Sequence, residues 1–399
     1  MGGAAMSAGP QGRSVFSSVS TPVSRRAFVA GAAAVAVNGQ TLSRIAYSEP
    51  NAPAFLHLAG CSAGNGHVHT YAVTGDRCEF LGSTNIDSFA AYASHPTLPV
   101  LYIARDCSQW EHLPRGVIET YRVERSVQPL RLLMQTPMAL SATGPRSLAV
   151  SSCGQYLLVS ASTGKAWNAF VLGSDGIPAS VAIARKETGP VLDSQIILSP
   201  APHAVAFSST GLCAVGTDPS TKRMTLLHPS PDGIAILSRC YAPFGLAELC
   251  PAWTCDGRYV VAANAHTASL SLYAIRPRLG DRDRLGIHLH NTAQTKTPIK
   301  ALLAHATGNG VFTSRGESKG SRLEFWRIRG HQLTVERDAW VPDNILAFEH
   351  HAGSLWLVSE DRLIRMRYQD LRAMSAVRVA QSLEGVRAIV TQSYGSNLI

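Results

Sequence analysis

Charge is scarce in this chain: Asp, Glu, Lys and Arg make up 16% of its 399 residues, against 45% hydrophobic residues. Such a chain has ample apolar surface to bury, which excludes a disordered polymer. Runs of Lys and Arg are missing too, so no electrostatic footprint for nucleic acid is present and none is expected as a partner. The formal charge of +9 overstates the basicity, because Arg13, Arg25, Arg26 and Arg44 lie in an N-terminal stretch without acidic residues. Setting those four aside leaves about +5, with the remaining basic residues scattered.

No apolar run approaches the roughly 20 residues that cross a bilayer, so no stable membrane anchor is expected. The eight cysteines, Cys61, Cys78, Cys107, Cys153, Cys213, Cys240, Cys250 and Cys255, contain no C-x-x-C pair. That excludes a zinc site of the usual spacing and leaves small core hydrophobes as the default reading, with a Cys250–Cys255 disulfide open in an oxidising compartment. His67 with His69, and His288 with His290, share strand faces but lack a third ligand at useful spacing, so neither a metal nor a cofactor is expected. Phosphate-binding loops, dinucleotide fingerprints and a Gly-x-Ser-x-Gly elbow joining a strand to a helix are absent. Nucleotide and serine-hydrolase chemistry therefore drop out.

What the N-terminus does hold is Ser24-Arg25-Arg26-Ala27-Phe28-Val29, followed by the apolar run Ala30 to Val37. Paired arginines, a hydrophobic residue two positions on and a short, weakly apolar stretch resemble a twin-arginine export signal. The expectation is a leader over residues 1–46 that engages the twin-arginine export machinery and is cleaved. Residues 47–399 then form one domain in the periplasm or outside the cell.

From about residue 50 the chain repeats an apolar run, a Gly-containing turn, a second apolar run and a third alternating strand. Pro145 to Val150 with Cys153-Gly154 and Tyr156 to Val159 matches Pro202 to Phe207 with Thr210-Gly211 and Leu212 to Val215. The pattern returns at Cys250 to Ala262 around Asp256-Gly257. Copies starting near 87, 145, 202, 250, 299 and 344 are spaced as four-stranded blades. A seventh unit assembles from Phe55 to Gly60 and His67 to Val73 with the C-terminal Val386 to Gln392, which closes the ring and removes a free sheet edge. The fold class expected is all-β: a seven-bladed propeller. A sandwich or β-helix fits six such copies less well. Helix is nearly absent, with Asp370 to Ser375 the one candidate turn. Alternation in Ser269 to Ile275 and Arg322 to Ile328 reads as strands with one apolar face.

At the blade junctions the chain resembles the lactonase propeller family, which includes 6-phosphogluconolactonases and carboxymuconate cyclases. The resemblance lies in Gly144-Pro145-Arg146-Ser147-Leu148-Ala149-Val150, in Gln195 followed by Pro200-Ala201-Pro202-His203-Ala204-Val205-Ala206-Phe207, in Thr217-Asp218, and in Ser314-Arg315-Gly316. It implies hydrolysis of a sugar-derived or related lactone, with His203, Asp218 and Arg315 as the catalytic set and Arg146, Gln195 and Asn264 binding a lactone or acidic sugar derivative. Departures stand beside it: Ala201 replaces a His, Ala247-Glu248-Leu249-Cys250 lacks an Arg and a His, and Ala265 replaces a Glu. Those losses keep a noncatalytic, ligand- or protein-binding propeller as the alternative.

In chemical terms His203 is the base for water, the guanidinium forks of Arg146 and Arg315 suit a carboxylate or phosphate, and Asp218 orients His203 or the water. Each has a plainer reading: a hydrogen-bonded core histidine, a structural ion pair, and a turn aspartate bonding its own backbone.

Overall fold

The computed structural model describes residues 54–393 apart from 63–64, 75–76, 108, 141, 164, 180–195, 199–200, 232, 279–280, 352 and 379–385. The leader residues and Gln195 lie outside the described residues. The described residues build seven four-stranded antiparallel sheets.

Blade 1 joins β28 (Val386–Ser393) to β1 (Ala54–Ser62), β2 (Asn65–Thr74) and β3 (Arg77–Asp87). Blade 2 is β4 (Phe89–Ser94), β5 (Val100–Arg105), β6 (Val117–Val123) and β7 (Leu130–Pro137). Blade 3 is β8 (Pro145–Val150), β9 (Tyr156–Ala161), β10 (Ala166–Val171) and β11 (Ile196–Leu198). Blade 4 is β12 (Val205–Phe207), β13 (Ala214–Asp218), β14 (Arg223–Ser230) and β15 (Gly233–Tyr241). Blade 5 is β16 (Ala252–Trp253), β17 (Tyr259–Ala263), β18 (Ser269–Arg278) and β19 (Asp281–Gln294). Blade 6 is β20 (Ile299–Ala304), β21 (Gly310–Glu317), β22 (Gly320–Arg329) and β23 (Gln332–Val341). Blade 7 is β24 (Ala347–His351), β25 (Ser354–Val358), β26 (Arg362–Arg367) and β27 (Ala373–Arg378). The last strand pairs with the first, Phe55 opposite Gln392 and Leu58 opposite Ile389, so both ends of the propeller share one blade.

Buried apolar side chains gather between blades. Tyr102, Ile118 and Val100 of blade 2 meet Leu157, Val159 and Phe170 of blade 3. At the closing seam Leu56, Leu58 and Tyr71 of blade 1 meet Trp356, Val358 and Leu363 of blade 7. The other five seams hold a comparable cluster each. Because a blade is covered on both faces, its middle strands are buried over runs of consecutive residues rather than on alternate ones. Ser269 and Ser271 on β18 are as sealed as Leu270 and Leu272. The in-and-out alternation expected there instead marks stretches of outermost strands such as β23 and β27, whose outer faces meet water.

A Ser/Thr-x-x-Gly turn links the first and second strands of blades 3, 4 and 5. The amides of Gly154, Gly211 and Gly257 donate to the carbonyls of Ser151, Ser208 and Thr254, and these glycines sit at φ of 70°, 71° and 67°, where a Cβ would be strained. These turns also tie blade to blade: Ser152 Oγ donates to Ser209 O at 2.7 Å, and Ser209 Oγ donates to Cys255 O at 2.7 Å.

Two expectations are corrected. Asp370 to Ser375 is not a helical turn: one helix-like bond, Leu371 N–H to Arg367 O, closes the hairpin, and Ala373 already opens β27. Cys250 and Cys255 are both free thiols, Cys250 Sγ donating to Val205 O and Cys255 Sγ to Asn309 Oδ1 in the next blade.

Candidate functional site

Each of blades 2 to 7 begins its first strand and ends its second at the same rim, because the register sets Pro145 opposite Ala161, Val205 opposite Gly216 and Ile299 opposite Arg315. Arg146 opens β8 and His203 precedes β12. Asp218 ends β13, Asn264 follows β17 and Arg315 lies near the end of β21. The topology therefore carries five of the six sequence candidates to one rim; the sixth, Gln195, is not described.

Three ionisable groups come together there. His203 is clamped through its backbone: its N–H donates to Thr217 O at 2.8 Å, and Ser160 Oγ of blade 3 donates to its carbonyl at 2.5 Å. Its half-buried ring sets Nε2 3.7 Å from Glu248 Oε2, on the loop entering blade 5. Its Nδ1 is buried and has no hydrogen-bond partner among the described residues. Burial holds the imidazole below its ordinary 6.5; the Glu248 carboxylate opposes that shift, and the Arg146 guanidinium adds to it. Arg146, exposed at the rim, donates from Nε to Ser162 Oγ at 3.0 Å.

The remaining candidates are engaged within their own blades. Asp218, 1% exposed, accepts from the Ala201 amide at 3.0 Å, Ser220 Oγ at 2.8 Å and the Thr221 amide at 3.1 Å. That is the carboxylate capping its own turn. Asn264 donates to Ser269 Oγ at 2.7 Å and accepts from Ser271 Oγ at 3.0 Å, satisfying the buried polar face of β18. Arg315 is sealed against Glu324 at 2.9 Å and Glu317 at 3.2 Å, so its charge is neutralised locally.

Sequence reasoning passed over Glu248 as a departure from a pattern, although a carboxylate on the loop beside His203's strand was there to be weighed. It also passed over Glu349 on β24. Glu349 acts electrostatically on Tyr92 of blade 2 and on Cys250 of blade 5. Surrounding protein that keeps water from much of these groups raises the Glu349 carboxyl above its usual range and pushes the Cys250 thiol, although solvent reaches it, to about 12. The string Gly316-Glu317-Ser318-Lys319-Gly320 matches an elbow in letters only, since it forms the hairpin between two strands.

No family model matches the chain, and no curated protein matches it by sequence. Among solved structures it is similar to a Bacteroides fragilis protein described as a candidate 6-phosphogluconolactonase, with a TM-score of 0.64 and 10% identity over 86% of this chain and 99% of that one. The periplasmic gluconolactonase of Pseudomonas aeruginosa gives a TM-score of 0.61 at 14% identity, over 86% and 100% of the two chains. The fold is that of the lactonase propellers. More remotely, it is similar to Sqt1 of Chaetomium thermophilum bound to the N-terminus of ribosomal protein L10, with a TM-score of 0.51 and 12% identity over 76% and 78% of the chains. The same wheel thus serves a protein-binding role elsewhere, and function has to be argued from the site.

Proposed function

We propose that the protein is a lactone hydrolase acting on a sugar-derived or related lactone, with His203 as the general base. One observation carries this reading: a half-buried histidine at the strand-opening rim with a buried, unpartnered Nδ1 among the described residues, flanked by Arg146 and Glu248. Its lowered pKa keeps the ring neutral near pH 7, the form that accepts a proton. His203 takes a proton from water, the oxygen attacks the lactone carbonyl carbon, and as the ring C–O bond breaks the imidazolium returns that proton to the departing ring oxygen, giving a hydroxy acid. The exposed guanidinium of Arg146 holds the carboxylate or steadies the oxyanion. The names of the propellers most alike in fold support the reaction class.

Export in folded form by the twin-arginine route belongs to the same proposal, supported by Arg25-Arg26 and by the periplasmic location in the name of the Pseudomonas neighbour. A periplasmic enzyme meets free lactones rather than phosphorylated metabolic intermediates, which makes an unphosphorylated ring the expected substrate.

A panel of aldonic and aliphatic lactones assayed with wild type and His203→Ala tests the reading. Turnover in wild type that drops at least about 100-fold in the variant is expected for the loss of a general base. No turnover by wild type on any lactone would instead favour the binding role, to which the internal engagement of Asp218 and Arg315 already lends weight.

A further inference from the structure

Glu248 is the acidic group the structure sets against His203, 3.7 Å from Nε2, while Nδ1 on the opposite edge of the ring is buried and unpartnered among the described residues. A neutral imidazole carries one proton, and a carboxylate beside one nitrogen stabilises the tautomer that keeps the proton there. We infer that Glu248 is a positioning residue that holds His203 as the Nε2–H tautomer and so makes Nδ1 the basic nitrogen. Its use in catalysis rests on the lactone-hydrolase reading; the tautomer does not.

The other charged group acting on the ring is Arg146 from β8. Ser160 and Thr217 touch only the backbone of His203, so they leave the choice of nitrogen to Glu248. With its side chain 79% exposed, Glu248 acts through water in the free protein. A ligand that seats over the rim and displaces that water shortens and strengthens the contact, as catalytic hydrogen bonds commonly tighten in the bound complex.

The test uses the full chain labelled with 15N-histidine, with the His203 signals identified by their loss in His203→Asn. Long-range proton–nitrogen correlation at neutral pH is expected to show the His203 proton on Nε2. In Glu248→Gln, an exposed and nearly isosteric change, the tautomers should mix and the imidazole should titrate at lower pH, because the carboxylate that favoured the protonated ring is gone. If lactones are turned over, the acid limb of kcat/KM should move to lower pH by the same interval. A wild-type proton on Nδ1, or identical tautomer and titration in Glu248→Gln, overturns the inference. Absence of lactone turnover with the expected tautomer behaviour overturns the hydrolase reading and leaves this one standing.

Discussion

The guanidinium of Arg315 and the carboxylate of Glu324 lie 2.9 Å apart on neighbouring strands of blade 6, their side chains 4% and 10% exposed. Glu324 Oε2 has no further partner among the described residues, so Arg315 compensates most of a buried negative charge. Arg315→Ala is expected to cost about 3 to 5 kcal/mol, because removing one member of a buried pair strands the other. Denaturant unfolding checks this, and Arg315→Met with Glu324→Met should recover most of the loss. An unfolding midpoint unchanged in Arg315→Ala would overturn this structural role and return the residue to the candidate catalytic set.

Gly216 on β13 packs under the buried ring of Trp167 from blade 3, where a Cβ would come within 2.6 Å of Cζ2. A ring sealed at a seam has little room to retreat. Gly216→Ala should therefore lose about 1 to 3 kcal/mol, the usual range for overpacking. Thermal unfolding measures it, with Trp167→Phe in the same background expected to cost less than it does alone.

Three histidines are held neutral by burial: His69, His305 and His351 are each pushed down to about 4 from an ordinary 6.5. In the unfolded chain they take up protons as pH falls through 6.5, while the folded chain resists until about 4. Stability they contribute is thus fully present above pH 6.5, declines between 6.5 and 4 by at most about 1.4 kcal/mol per pH unit for each group, and levels off below. Melting temperature followed from pH 8 to 4 should fall across that window. His69→Gln should flatten the slope, since it removes one of the groups that resist protonation in the folded chain.

Truncation ahead of Val386 removes β28 and leaves the backbone of β1 from Ala54 to Gly60 without its ring-closing partner. An open edge at a buried seam exposes both hydrogen-bonding groups and the apolar cluster around Leu56 and Trp356. The truncated chain should unfold at a lower temperature than any single substitution above, and should self-associate in size-exclusion chromatography.

Much of this fold is legible in the residues. Blade spacing follows from recurring Gly turns, and closure from strand-like runs left over at both ends, because a sheet edge without a partner is a liability. Interior strands are harder to read: Ser269 and Ser271 look solvent-facing in sequence but are buried by bonding to Asn264. At the site, His203 is legible because a Pro-His pair stands before an inner strand. Its partner Glu248 is not, since which loop of blade 5 leans over blade 4 depends on packing between blades rather than on local pattern. Asp218 and Arg315 show the converse: residue types suited to chemistry are used up by a turn and by an ion pair.

Apolar packing divided among seven seams gives the molecule no single centre whose loss would dissolve it at once. A lesion at one seam turns the ring into an arc with six junctions still in place and two raw edges. Failure should then pass through such arcs, which stick to one another before they unravel.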